Sequence, residues 1–185
     1  MRRVRRRMET RYMIRRAMAC AFTLAVYMPA FAAGASKEAP VPDLTAGGKI
    51  DHKTAWTLGS TGARGWVYSD GRSTDRSRQI YITAVSDDSP AAGVLREGDV
   101  ILGAQGNRWQ ELQRFTSDAR KAVSEAVTDA EQVKNAGALR LLRWRAGKED
   151  IVTLKLEVMG SFSDTAPFDC AKTDKIVDKT VAALL

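Results

Sequence analysis

Residues 85–109 read VSDDSPAAGVLREGDVILGAQGNRW, and the order of breakers and branched residues in this stretch decides the fold class. Ser89-Pro90 closes an extended run and predicts a one-turn helix, since proline is pre-organised at a first helical position and Ser or Asp caps it. Gly98-Asp99 predicts a tight turn into the short strand Val100-Ile101-Leu102, and Gly106-Asn107 the turn that follows. Adjacent aspartates at Asp87-Asp88 fit a turn and helix start better than a paired acid and base.

Upstream, residues 79–85, QIYITAV, alternate branched and aromatic side chains as a strand does, and Trp66-Val67-Tyr68 is a shorter β-prone run. Between them lies a polar connection, residues 69–78, containing Asp70-Gly71. Downstream, Ser117 is a good N-cap for one long helix. Ala119, Ala122, Val123, Ala126, Val127, Ala130 and Val133 recur at helical spacing, with Asp118, Lys121, Glu125 and Asp129 on the other face. A stripe of alanine and valine is thin, so this helix is expected to lie close to a sheet. Residues 139–145 and 151–158 form a hairpin around Ala146-Gly147-Lys148. In its second strand Val152, Leu154, Leu156 and Val158 face one way, and Thr153, Lys155 and Glu157 the other. The order strand, strand, short helix, short strand, long helix, hairpin is α+β rather than an alternating parallel fold.

Charge separates the chain into two parts. Of its 185 residues, 29 are Lys or Arg and 22 Asp or Glu, a net +7. Residues 1–32 hold eight of the arginines and one glutamate, so the remaining 153 residues are formally neutral. Residues 17–33, AMACAFTLAVYMPAFAA, follow the arginines without a charge and close on small side chains. This is the pattern of a secretory signal peptide, with cleavage expected after Ala30-Phe31-Ala32 and export to the periplasm or the extracellular space. An uncleaved anchor is the weaker reading, because 17 residues with Pro29 near the end fall short of the ~20 that span a bilayer comfortably. Arg15-Arg16 lacks the flanking residues of a twin-arginine signal, and Cys20 lies at the wrong end of the apolar run for lipidation. Residues 33–55 are then a linker rich in Ala, Pro, Gly and charge, carrying the sole histidine, His52. With no second histidine and only Cys170 left after cleavage, neither a metal site nor an internal disulfide is expected. Cys170 is expected to be a packing residue.

Taken together, residues 57–158 resemble a bacterial PDZ domain. The resemblance rests on Ser89-Pro90-Ala91-Ala92, Gly93, Gly98-Asp99-Val100-Ile101, Gly106, the long helix and the closing Arg145-Ala146-Gly147-Lys148 hairpin, present in that order. It implies a small, partly open antiparallel β-barrel or sandwich capped by one long and one short helix over residues 56–159. Residues 160–185 form a tail in which Ile176, Val177, Thr180, Val181 and Leu184 begin another amphipathic helix. Thr61-Gly62-Ala63-Arg64-Gly65-Trp66, Leu141-Leu142-Arg143-Trp144-Arg145 and the stretch from Gly160 to Cys170 also resemble exported bacterial proteins in which such a module precedes a helical-repeat, α/α-toroid domain.

The PDZ resemblance implies binding of an extended or C-terminal peptide, added as a strand to an open sheet edge beside the long helix. The binding residues would be Arg64, Gly65, Trp66, Val67 and Tyr68, with Ala119 and Val123 as the opposite wall. Arg64 stands where the family has an apolar residue. It either adds charge for a carboxylate, or marks a groove without a free ligand, as in a structural domain docked to an adjacent domain of the same protein. Either way the partner is a peptide or protein, with no cofactor and no stable membrane span after cleavage. Gly59-Ser60-Thr61-Gly62-Ala63-Arg64-Gly65 lacks the ending of a phosphate loop. The neutral mature chain opposes nucleic-acid binding by Trp56, Trp66, Trp109 and Trp144, which are expected to pack at core and rim. No Gly-x-Ser-x-Gly, Ser-x-x-Lys or His-Glu-x-x-His occurs, so no enzymatic activity is expected.

Overall fold

A computed structural model describes residues 39–161 and 171–184. The signal segment, the first residues of the linker and Cys170 lie outside the described residues. The fold is α+β: among the described residues six antiparallel strands form one open sheet, with two α-helices. The strands are β1 (Trp56–Thr57), β2 (Ala63–Val67), β3 (Ile80–Val85), β4 (Val100–Gln105), β5 (Ala138–Arg145) and β6 (Lys148–Lys155), adjacent in space in that order. Helix α1 (Ala119–Ala130) lies between β4 and β5 in sequence, and α2 (Ala171–Ala182) follows the sheet.

Alternation along the strands sorts their side chains onto two apolar faces. Ile80, Ile82, Ile101, Leu139, Leu141 and Leu154 lie on one face beneath Ala119, Val123, Ala126 and Val127 of α1. Each fully buried aliphatic side chain there contributes about 1.5–3 kcal/mol relative to exposure. Small residues on α1 permit the close approach that the thin stripe predicts. A Cβ at Gly106 would lie 1.8 Å from the Ala126 carbonyl oxygen and 2.5 Å from the Ala130 nitrogen, so only glycine lets the end of β4 pass beneath the helix. In β4 the register shifts between Ile101 and Gly103, and this irregularity brings Ala104 onto the same face as Ile101. The expected hairpin forms, but its turn is the two residues Ala146 and Gly147 at positive φ, 49° and 85°, so that Lys148 already pairs with Arg145 and β6 runs over Lys148–Lys155 rather than 151–158. Two such residues suit the twist of the flanking strands.

Trp66, Val100 and Leu102 occupy the second face with Tyr68, Tyr81, Leu142 and Trp144, and here the structure departs from expectation. The expected linker is docked: Leu44 is buried in this cluster and Ile50 packs against it. A one-turn helix, Leu44–Ala46, is capped by Asp43, which accepts from the Thr45 amide at 3.0 Å. Gln79 grips the segment from both sides, accepting from the Leu44 amide at 2.6 Å and donating to Asp43 at 3.0 Å. The Gln79 hydrogen bond holds the Asp43 carboxyl below its ordinary range. His52 is exposed, as expected of it, with its ring edge-on to Tyr81 at 6.1 Å.

Three local expectations need correction. Residues 87–94 fold as successive turns rather than a helix, with Ala92 bonded back to Ser89 and Leu95 to Ala91. Asp118, not Ser117, caps α1, because its carboxylate receives the Arg120 amide at 2.9 Å and the Thr74 hydroxyl at 2.6 Å. Helix α1 stops at Ala130, which leaves Val133 in a separate 3-10 turn and exposed.

Candidate functional site

The residues singled out for strand addition lie along β2 and α1, but they do not converge on one surface. The Val67 and Ala119 side chains belong to the main core. Trp66 and Tyr68 point to the second face, where they pack with Leu44 and Val100. Arg64 and Gly65 remain at the edge of β2, while Val123 lines a cavity of about 380 Å³ between α1 and the turn that precedes β2. Trp66 and Trp144 pack in the second cluster, whereas Trp56 and Trp109 are exposed at the rim, each stacked against an arginine, Arg120 and Arg108.

At Arg64 and Gly65 the edge is occupied by the chain itself. Strand β1 pairs antiparallel with β2, Trp56 opposite Gly65 and Thr57 opposite Arg64. The turn between them, Gly59–Thr61, is fastened by its own side chain: the Thr61 hydroxyl donates to the Leu58 carbonyl at 2.9 Å and accepts from the Ala63 amide at 3.1 Å. Leu58, only 7% exposed, enters the main core against Gly65. A Cβ at Gly65 would approach Ile80 Cγ2 to 2.5 Å, which is why the strand carries glycine where β1 and β3 flank it. Arg64 donates from Nη2 to the Ala55 carbonyl at 3.2 Å, and the Arg120 guanidinium sits 3.7 Å from the ring centre of Trp56.

These contacts grade along β1. Burial of Leu58 is worth about 1.5–3 kcal/mol, whereas a cation–π contact at an exposed site is worth about 0.5–1 kcal/mol. Trp56 is 42% exposed. The end of β1 nearest the turn is therefore anchored, and the end towards Ala55 is held by two surface arginines.

The cavity ends at a polar cluster that the sequence does not announce. Glu131, directly after α1, is buried, and its carboxylate receives the Ser60 hydroxyl at 2.5 Å and the Lys172 ammonium of α2. Its backbone carbonyl receives the amides of Met159 and Gly160, both at 3.0 Å. One residue thus ties together the β1–β2 turn, the end of α1, the segment after β6 and α2. Further along α2, Lys175 donates to the Val158 carbonyl at 2.5 Å and Lys179 pairs with Glu157, whose carboxyl that hydrogen bond lowers. The lysines hold one side of α2 to the domain and leave Ile176, Val177, Val181 and Leu184 exposed.

Among the described residues, no group of three or more His, Cys, Asp or Glu side chains could hold a metal ion, and no helix is long and apolar enough to cross a membrane. No protein-family model matches the chain, and no curated protein matches it at a significant level.

Proposed function

We propose that the chain is an exported, PDZ-like docking module whose strand-addition edge is filled from within, and that it serves a structural role towards an adjacent segment or domain rather than capturing free C-terminal peptides. The observation that carries this reading is the β1–β2 pairing at Trp56–Gly65 and Thr57–Arg64. An incoming peptide would add to the backbone groups that Trp56 and Thr57 already engage. Arg64, the residue in place for a terminal carboxylate, is turned onto the Ala55 carbonyl. Helix α2 supports the docking role, since it is fastened along its lysines and presents an apolar stripe outward. The reading assigns no catalytic step and no cofactor.

A second reading, recognition of a free peptide by strand addition, draws support from the shortness of β1. The ladder ends at Gly65, leaving the backbone of Trp66 to Tyr68 outside it. A random C-terminal peptide library screened against the exported protein separates the two. The docking reading expects no binder tighter than about 100 μM, a threshold of roughly −5.5 kcal/mol. Binders that are lost on amidation of their C-terminus, and on Arg64→Ala, overturn it in favour of peptide capture. Mass spectrometry of the same protein should find Ala33 near its N-terminus, and an intact Met1 form retained in the cytoplasm would remove export from the proposal.

A further inference from the structure

We propose that Glu131 couples the seating of α2 to the strand that fills the β2 edge. The two oxygens of its carboxylate are divided between two separate parts of the molecule: Oε1 takes the Ser60 hydroxyl in the β1–β2 turn and Oε2 takes Lys172 in α2. Side-chain exposures of 6% for Glu131 and 8% for Lys172 place this pair away from water. A carboxylate in such a place is stable only while its countercharge is present, because a buried charge that loses its partner is uncompensated. When α2 is drawn off the domain Lys172 leaves with it, and the Glu131 carboxylate turns outward for solvent. The cavity of about 380 Å³ beside it, lined by Ser60, Val127 and Thr128, provides the room.

That movement takes away the acceptor of Ser60. The Gly59–Thr61 turn then keeps the Thr61 hydroxyl, buried Leu58 and the Ala91 amide on the Thr61 carbonyl but loses its side-chain tie to the end of α1, and the pairing of β1 with β2 loosens. Conversely, with α2 seated, Ser60 is fixed and the edge stays closed. A pull on the segment beyond β6 is in this way converted into exposure of backbone groups on β2, distant in sequence but joined to it through one side chain. The coupling requires these contacts and not the family resemblance, so its failure and that of the docking reading are separate events.

Amide hydrogen exchange of the full chain, resolved by residue, tests this. The Leu58 amide, bonded to the Ala63 carbonyl at 2.9 Å, reports the β1–β2 turn. Lys172→Met should speed its exchange tenfold or more while Ile101 and Leu141 stay as in the parent. In Glu131→Gln with Lys172→Met, α2 is equally released, but no charge remains to be expelled and the amide oxygen still accepts from Ser60. Leu58 protection should therefore return to within threefold of the parent. Coupling is reciprocal, so Ser60→Ala, a mild change at the exposed turn, should speed exchange in α2 several-fold. Three results overturn the proposal: Leu58 unchanged in Lys172→Met, equal loss of protection in the single and double variants, or a uniform rise through β4 and β5. An α2 indifferent to Ser60→Ala does so as well.

Discussion

Asp99 and Glu131 are both buried carboxylates paired with a basic side chain, yet their partners differ in kind. Asp99 is fully buried and receives Nε and Nη2 of Arg145 at 2.6 Å each, together with the Arg96 amide at 3.0 Å. The same Arg145 also donates to the Val94 carbonyl at 2.9 Å, and its neighbour on that face, Arg143, donates there at 2.6 Å. The hydrogen bond to Asp99 strengthens the hold of Arg145 on its proton. Every group in this cluster belongs to the sheet or to the turns between β3 and β4, so Asp99 and its partner stay together for as long as the sheet is folded. At Glu131 the partner rides on α2, outside the sheet, and the pair can separate while the domain stays folded. The Gly98-Asp99 turn thus locks the scaffold, and Glu131 joins it to α2, outside the sheet.

Removing each acid measures that difference. Asp99→Ala strands Arg145 beside the Val94 carbonyl and frees the Arg96 amide, and breaking a buried pair from one side costs about 3–5 kcal/mol. Urea denaturation should show the midpoint falling by that equivalent with the slope unchanged. A loss below about 1 kcal/mol would mean that Arg145 reaches water readily, and the contrast between the two sites would collapse.

Glu131→Ala should cost less, about 1–3 kcal/mol, the penalty of unpaired polar groups rather than of a trapped ion, since Lys172 can follow α2 into solvent. Limited proteolysis should then cut near α2 first, leaving the sheet intact. If Glu131→Ala destabilises as much as Asp99→Ala, α2 is part of the cooperative core and not a separable strut.

How much of this was legible follows from which interactions are local. The α+β class, the hairpin and α1 were readable because period 2, period 3.6 and a Gly turn are properties of neighbouring residues. The start of α1 lies one residue later than the sequence suggests, since Ser117 and Asp118 are both good caps and the choice falls to Thr74, distant in sequence, which bonds Asp118. Asp118→Ala should therefore cost about 1 kcal/mol and Ser117→Ala less than about 0.5 kcal/mol in thermal unfolding, and the reverse order would restore Ser117 as the cap. The docked linker leaves little signal because its low apolar content hides Leu44, whose amide is held by Gln79, distant in sequence. Strand β1 left a faint signal: Trp56-Thr57-Leu58 before Gly59 and a β-prone run has the form of a hairpin. Glu131 left none, as its partners Ser60 and Lys172 lie 71 and 41 residues away.

The smallest effect concerns acid, and it separates the peripheral contacts from both buried acids. Hydrogen bonds from Gln79 and Lys179 hold Asp43 and Glu157 below their ordinary values of 3.8 and 4.5. A carboxyl whose folded value is depressed stabilises the fold above its unfolded value, and that contribution disappears as pH falls through the folded one. Both groups are at the surface, where solvent and salt screen such pairs, so global stability should change little above about pH 4. Below it, amide exchange corrected for intrinsic rate should rise first near Leu44 and in α2, while Ile101 and Leu141 remain protected. Adding 0.5 M salt at pH 6 should weaken the Lys179–Glu157 contact in α2 in the same direction. Simultaneous loss of protection in the sheet would show that these outer segments are bound into the core rather than clipped onto it, and the distinction between a locked scaffold and movable flanks would not hold.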